Sequence, residues 1–150
     1  MRKQSGKDDE YQFAYLSRRI NKLESVLKLL GFIKVVGDKM IASSGKDEEI
    51  EKSHTTCQAI GGRIATPTNE AENNGTLFFL KKYNQYAYIG LKEGPVPGIF
   101  HYHNGIPALY THWRKNEPSG KGQEKCVEMY TDGQWNDKGC NQKRLTVCEL

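Results

Sequence analysis

Four oxygen-bearing side chains near the end of the sequence are suited to binding a hard cation. They are Glu117, Glu124, Asn136 and Asp137, and they are interleaved with glycine, proline and tryptophan. Carboxylate and amide oxygens are the ligands that Ca²⁺ prefers, in sets of about six to eight with flexible geometry. Glycine and proline supply the turns through which oxygens distant in sequence converge. The pattern indicates a calcium site built on loops.

Each of these residues, taken alone, also has an interpretation without an ion. Glu117, in Asn-Glu-Pro, could be a solvated turn residue, and Asn136 could be a turn former beside a core tryptophan. Glu124 and Asp137 could be surface charges close to cysteines. Two further acidic residues of the region are expected to be structural or solvent-facing; these are Glu128 and Asp132.

The four cysteines predict two disulfide bonds. None of them forms a Cys-x-x-Cys pair, which favours disulfides in an oxidising compartment over a zinc site. Four cysteines allow three pairings, and the residues alone leave all three open.

Composition excludes several classes of function. The net charge of +4 is small and no basic stripe is interleaved with aromatic residues, so a nucleic-acid partner is not expected. No run of 18 apolar residues predicts a membrane span. No nucleophile stands with a paired base, so we do not expect an enzyme. The scattered histidines predict no zinc or catalytic site; they are His54, His101, His103 and His112.

The first 31 residues divide into a tail and a helix. Residues 1–10 lack apolar periodicity and predict a flexible, solvated tail. The spacing of the following apolar residues predicts a helix over residues 11–31 with an a/d seam, ended by Gly31. The seam is Phe13, Leu16, Ile20, Leu23, Leu27 and Leu30. Such a seam fits either a short parallel coiled coil or an amphipathic helix folded onto its own domain.

Residues 32–150 predict an α+β domain. Short apolar runs at 32–37 and 39–42 indicate strands, and helices are expected over about 47–60 and 69–82. A buried strand at 87–91 is followed by a hairpin at Asn104-Gly105, and residues 144–150 predict a closing strand. Helices followed by strands and long loops are typical of α+β architecture.

Several motifs together resemble the carbohydrate-recognition domain of C-type lectins, within the collectin family. They are Glu117-Pro118-Ser119, Glu124 shortly before Cys126, Trp135-Asn136-Asp137 before Cys140, and the four-cysteine frame. The likeness covers about residues 13–150. It implies the C-type lectin fold with long calcium-binding loops, and disulfides joining Cys57 to Cys148 and Cys126 to Cys140. It also implies a trimeric neck at residues 11–31, although no Gly-x-y repeat is present.

The resemblance implies one calcium ion per domain, held by Glu117, Glu124, Asn136 and Asp137. The same residues, with Ser119, would bind sugar hydroxyls. Glu-Pro goes with mannose-type sugars in the family (mannose, fucose, glucose and N-acetylmannosamine), whereas Ser119 replaces the usual asparagine and predicts weaker, broader binding. Secondary calcium sites are not expected, because Gly120 and Lys92 occupy the positions where relatives carry acidic residues.

The implied function is innate immune recognition of microbial surface glycans by a secreted protein of the airway lining. Two alternatives remain: binding of surfactant phospholipid or lipid A, and a lectin-like domain that binds protein and has lost its sugar. The polar loop Asn141-Gln142-Lys143 weakens the lipid alternative. No secretory leader is recognisable, so a mature fragment is expected. Asn74-Gly75-Thr76 predicts N-glycosylation of Asn74.

Overall fold

A computed structural model describes residues 2–150, with side chains from Ser5 onward. The chain divides into two units, Met1–Ile33 and Lys34–Leu150. Within the described residues there are three helices and ten short strands. The helices are α1 (Arg2–Leu29), α2 (Ile50–Ala59) and α3 (Glu70–Tyr83). The strands are β1 (Ile33–Val36), β2 (Lys39–Ala42), β3 (Asp47–Glu48), β4 (Arg63–Ile64), β5 (Ala87–Glu93), β6 (Phe100–His101), β7 (Cys126–Met129), β8 (Trp135–Lys138), β9 (Arg144–Leu145) and β10 (Cys148–Glu149).

Helix α1 begins earlier than the sequence predicts. Residues 2–10 are helical, so the prediction of a tail over 1–10 is wrong for them, and Met1 lies outside the described residues. Apolar periodicity marks the face that a helix buries, whereas lysine, glutamate, glutamine and arginine favour a helix without such a face. The helix therefore begins before the apolar seam from which it was predicted.

The end of α1 is where the sequence predicts it. The N–H of Phe32 donates to the carbonyl of Leu27, and that of Gly31 donates to the carbonyl of Lys28, both at 3.0 Å. Gly31 has a φ of 73°, the left-handed conformation that this C-terminal motif requires and that glycine adopts without steric cost.

The apolar seam of α1 is open to solvent in the single chain. Phe13 is 74% exposed, Ile20 61% and Leu23 63%. Side chains of this kind gain about 25 cal/mol for each Å² removed from water, so a stripe of them favours association with another apolar face.

Among the described residues, no helix is long and apolar enough to span a membrane.

The second unit contains three antiparallel sheets. One has the strand order β1-β2-β10-β4, a second pairs β3 with β9, and a third has the order β6-β5-β7-β8. The third sheet carries the candidate site, because β7 and β8 form a hairpin in which Val127 pairs with Asp137 and Glu128 with Asn136. Helices and antiparallel sheets segregated in this way confirm the α+β prediction.

Most predicted elements are present, and three differ in detail. The helix expected from residue 47 begins at Ile50, because Asp47 and Glu48 pair instead with β9. The closing strand is split into β9 and β10. The turn at Asn104-Gly105 has three residues rather than two, since the N–H of Tyr102 donates to the carbonyl of Ile106. Gly105 takes the left-handed conformation, with a φ of 82°.

The core lies between α3 and the third sheet. Its fully buried members include Phe79 and Leu80 of α3, Ile89 of β5, Val127 of β7 and Trp135 of β8. A buried amide ties the two layers together. Asn73 accepts from Trp135 Nε1 at 2.8 Å and donates to the carbonyl of Gly133 at 3.0 Å. The β7–β8 hairpin is thus held against α3.

The disulfides join Cys57 to Cys148 and Cys126 to Cys140, which confirms both pairings implied by the family resemblance. The first links α2 to β10 across 91 residues, and the second encloses the β7–β8 hairpin within 14 residues. In chain-entropy terms the shorter loop alone contributes about 3 kcal/mol.

A buried ion network connects β2, α3 and β10. Lys39 Nζ lies 2.8 Å from Glu72 Oε1 and 3.1 Å from Glu149 Oε2, and both carboxylates are less than a tenth exposed. Arg63 Nε lies 3.4 Å from Glu149. Burial acts to raise the pKa of Glu72, but hydrogen bonds from Lys39 and Thr68 outweigh it and leave that pKa below its usual range.

Replacing Lys39 by Met is expected to lower the free energy of unfolding by about 3 kcal/mol, because two buried carboxylates lose their shared cation. A carboxyl with a depressed folded-state pKa stabilises above its unfolded pKa, and that contribution is lost as the pH falls through the folded pKa. The acid-side decline in stability should therefore flatten in K39M. Urea titrations from pH 7 to pH 3 measure both effects.

Lys46→Met is the matched control, since Lys46 is an exposed lysine of the same unit. Its loss should change stability by less than about 0.5 kcal/mol. Equal losses in K39M and K46M would contradict the assignment of the network.

Candidate calcium and sugar site

The β7–β8 hairpin positions two of the predicted ligands. A turn closed by hydrogen bonds between Tyr130 and Gln134 and between Gly133 and Tyr130 returns the chain into β8. Side chains alternate along a strand. Asp137 accordingly points to the buried side with Trp135 and is 1% exposed, whereas Asn136 is half-buried on the other side.

The carboxylate of Asp137 anchors the loop that carries the Glu-Pro-Ser motif. Oδ1 accepts from the N–H of Ser119 at 2.9 Å, and Oδ2 accepts from the N–H of Gly120 at 2.6 Å. Hydrogen bonds to an ionised carboxylate are about twice as strong as neutral ones. Asp137 therefore links the loop to β8 through its own side chain.

Gly120 permits the closest approach within this site. A Cβ atom at this position would lie 2.6 Å from Glu124 Cβ and 2.7 Å from Asp137 Oδ2. Neither neighbour leaves room for a side chain, so glycine is required where the loop passes between them. The half-buried side chain of Glu124 is thereby brought beside Asp137.

Glu117 lies on the same loop, just before a cis Glu117–Pro118 peptide bond. Its N–H donates to the carbonyl of Arg114 at 3.0 Å, and Glu117 Oε2 accepts from Ser119 Oγ at 2.9 Å. Burial raises the pKa of Glu117, and the hydrogen bond and charge of Asp137 and the charge of Glu124 raise it further, against the opposing hydroxyl of Ser119. Three carboxylates are thus close enough to repel one another.

The structure places the predicted site residues in two groups. Glu124 and Asp137 lie against Gly120, and Ser119 joins this group through its N–H to Asp137 and its hydroxyl to Glu117. Asn136 lies on the opposite side of β8, where its Nδ2 donates to Tyr130 Oη at 3.0 Å. Tyr130 is a contact that sequence reasoning missed. It lies diagonal to Asn136 in the hairpin register, which the sequence alone does not give.

The donor chemistry of the site fits Ca²⁺. Every candidate ligand offers oxygen, which suits a hard cation and not zinc. The mutual repulsion of Glu117, Glu124 and Asp137 is what a divalent ion would relieve. Within residues 5–150, no group of three His, Cys, Asp or Glu side chains is already arranged around a common metal position.

Nearby acidic residues have other partners. Glu128 is 2% exposed and accepts from Arg144 Nε at 2.7 Å. Of the two roles expected for it, structural or solvent-facing, it has the structural one. Asp132 is exposed and accepts from the N–H of Gln134 within the hairpin turn. Lys92, where relatives carry a secondary calcium ligand, is exposed on β5. Asn74 of the sequon is exposed on α3.

These three sheets, two disulfides and long loops define a lectin-like domain. The sequence model of the Lectin C-type domain matches residues 46–150. The chain therefore belongs to the C-type lectin domain family, whose members are generally non-enzymatic carbohydrate binders. That family is typically calcium-dependent, although some members are not.

Solved structures share this fold. The cow CD23 carbohydrate-recognition domain, determined in the presence of a GlcNAc2Man3 oligosaccharide, is 25% identical, with a TM-score of 0.67, over 79% of this chain and 92% of that one. The mouse scavenger receptor C-type lectin domain is 23% identical, with a TM-score of 0.68, over 79% and 94%. A calcium-independent type II antifreeze protein is 20% identical, with a TM-score of 0.67, over 79% and 91%.

Proposed function

We propose that this chain is a secreted, calcium-dependent lectin of the collectin kind that binds mannose-type sugars on microbial surfaces. The observation that carries the proposal is the close approach of Glu124 and Asp137 to Gly120, on the loop where Glu117 is hydrogen-bonded to Ser119. Carboxylates so close together are stabilised by a divalent cation. When bound, calcium would supply open coordination positions for two vicinal sugar hydroxyls.

The chain's own residues have distinct parts in this proposal. Glu117, Glu124, Asn136 and Asp137 would hold the ion, and their remaining oxygens and amide would hydrogen-bond the sugar. Charge-assisted bonds to hydroxyl groups are the stronger kind, which favours recognition of the sugar's hydroxyl geometry. Ser119 replaces the asparagine that is usual in the family. Its Oγ would act on the site through Glu117, to which it donates, and not as a direct ligand.

The kinship to collectins rests on two further features. The run from Cys126 to Asp137 resembles pulmonary surfactant protein A, and α1 presents its exposed seam at the position of the collectin neck. A parallel trimer would bury that seam. Three sugar sites carried by one trimer would bind a repetitive glycan far more tightly than a single site does.

A second candidate is a lectin-like domain that binds protein and not sugar. It is favoured by one observation: both oxygens of the Asp137 carboxylate accept loop N–H groups, which occupies part of their capacity to bind an ion. The sugar-binding proposal is tested by capture on mannan-agarose with 5 mM calcium or with EDTA. Capture in calcium alone supports the lectin, and capture in neither condition supports this second candidate.

Sugar competition is expected to follow the Glu117-Pro118 motif. Mannose, fucose, glucose and N-acetylmannosamine should each release the protein from mannan at millimolar concentration, and galactose should need at least about tenfold more. A tenfold difference corresponds to about 1.4 kcal/mol. Competition curves measured in calcium give the ranking. Release led by galactose would contradict the assignment of mannose-type specificity.

A further inference from the structure

We propose that Tyr130 is a positioning residue for calcium, whose hydroxyl holds the side-chain amide of Asn136 in the orientation that binds the ion. This assignment rests on the proposed calcium site. It adds to that site a residue that is neither a ligand nor a sugar contact. Tyr130 follows β7 directly and belongs to the turn that leads into β8.

The hydrogen bond decides which atom of the amide is left for the ion. Asn136 Nδ2 donates to Tyr130 Oη at 3.0 Å. An amide NH2 group can only donate, so in this bond the tyrosine hydroxyl is the acceptor. One N–H of the Asn136 amide is thereby committed to Tyr130, while the other N–H stays available to a sugar hydroxyl and Oδ1, the proposed calcium ligand, is left free of this contact.

The ring of Tyr130 is fixed from two sides. Tyr86 packs edge-on against it, with ring centroids 4.5 Å apart and planes at 89°. The Arg114 guanidinium carbon lies 4.4 Å from the centroid of the Tyr130 ring. T-shaped aromatic pairs and cation–π contacts each favour one ring orientation. The hydroxyl is therefore presented at a fixed point and does not rotate with a mobile side chain.

The hairpin register explains why Tyr130 reaches Asn136. Glu128 pairs directly with Asn136, and Tyr130 follows Glu128 by two residues in the same arm of the hairpin. Residues two apart share a face, so Tyr130 and Asn136 are diagonal neighbours across the hairpin. Asp137 points to the opposite face. The two adjacent residues of the Asn-Asp pair are thus held by different partners, Asn136 by Tyr130 and Asp137 by the loop.

Through its ring, Tyr130 also contacts Arg114, which belongs to the segment that carries Glu117. The carbonyl of Arg114 accepts from the N–H of Glu117 at 3.0 Å, and the N–H of Arg114 donates to the carbonyl of Trp135 at 2.9 Å. Tyr130 thereby contacts one residue of the Glu117 turn and one residue of β8. Residues that orient metal ligands through hydrogen bonds typically change metal affinity by about 10- to 100-fold when removed.

Tyr130→Phe retains the ring and its contacts and removes only the hydroxyl. Calcium affinity, measured by isothermal titration calorimetry on the full chain, is expected to fall about tenfold or more. The melting temperature in EDTA should stay within about 2 °C of the unmodified protein, because the packing is kept. In calcium-free protein, the Asn136 side-chain N–H signals should exchange faster with solvent. Tyr86→Phe, which removes the hydroxyl of the neighbouring ring, should leave calcium affinity within about twofold.

Unchanged calcium affinity in Y130F would overturn the role of Tyr130 and leave the calcium site itself intact. An equal loss in Y130F and Y86F would also overturn it, since the effect would then belong to the aromatic pair. No calcium binding by the unmodified chain would overturn the proposed function and this assignment together. The three results are distinguishable in one set of titrations.

Discussion

Replacing Ile20 and Leu23 together by Asp is expected to reduce binding to mannan by about 10²- to 10⁴-fold. A single sugar site with millimolar affinity contributes only about −4 kcal/mol, which is too weak to retain a particle. Both residues are more than half exposed on α1, where they would form the centre of the proposed trimer seam. Two buried carboxylates on each of three helices would prevent association.

The measurement has two parts, assembly and affinity. Sedimentation equilibrium should give a trimer for the unmodified chain and a monomer for the double variant, and titration with free mannose should give the same single-site affinity for both. Asn21→Asp with Ser25→Asp adds the same charge off the seam and should leave the trimer intact. A monomeric unmodified chain would refute the proposed trimeric neck.

Replacing Asp137 by Asn is expected to abolish calcium-dependent behaviour altogether. Extracellular calcium modules have dissociation constants near 10⁻⁴–10⁻³ M, so millimolar calcium should stabilise the unmodified domain by about 1–2 kcal/mol. The substituted amide would keep the size of the side chain and one acceptor for the loop, but it would remove a charge from the ligand set. The calcium-induced rise in melting temperature and the binding to mannan should both be lost.

Stability in EDTA separates a lost ligand from a lost fold. In D137N one loop N–H loses its acceptor and faces an amide N–H instead, so stability in EDTA should fall by about 1–3 kcal/mol, and the calcium response of the variant is measured from its own EDTA value. Asp132→Asn, in the exposed hairpin turn, is the control and should keep the full calcium response. A calcium response retained in D137N would remove Asp137 from the site.

The residues specify some parts of this fold locally. Asn69 caps α3 by accepting from the N–H of Glu72 at 2.8 Å, and Gly31 ends α1 in the left-handed conformation. Both signals depend on a few adjacent residues and were predictable. The start of α2 was not, because Asp47 and Glu48 are helix-compatible residues that a distant strand, β9, recruits into a sheet. Tertiary pairing overrides local preference there.

The candidate site shows the same division between local and distant information. The identity of its carboxylates was predictable from residue type and motif, and the cysteine pairing followed only from the family resemblance. The role of Gly120 was not predictable, because it depends on Glu124 and Asp137, which are distant in sequence from each other and approach the glycine only in the folded domain. The hydrogen bond between Tyr130 and Asn136 likewise depends on the register of the hairpin. That register is set by the length of the turn, which could not be predicted from the sequence.

The packing of α3 imposes an order of events on the biosynthesis of the protein. In the sequon Asn74-Gly75-Thr76, a Cβ at Gly75 would lie 2.8 Å from Val36 Cγ2 and 2.9 Å from Ile41 Cδ1, so the helix sits directly on β1 and β2. The threonine hydroxyl, which is part of the acceptor sequence, is buried and donates to the carbonyl of Glu72 at 3.0 Å. Any glycan on Asn74 must therefore be transferred while this segment is still unfolded, before the domain closes over its own acceptor site.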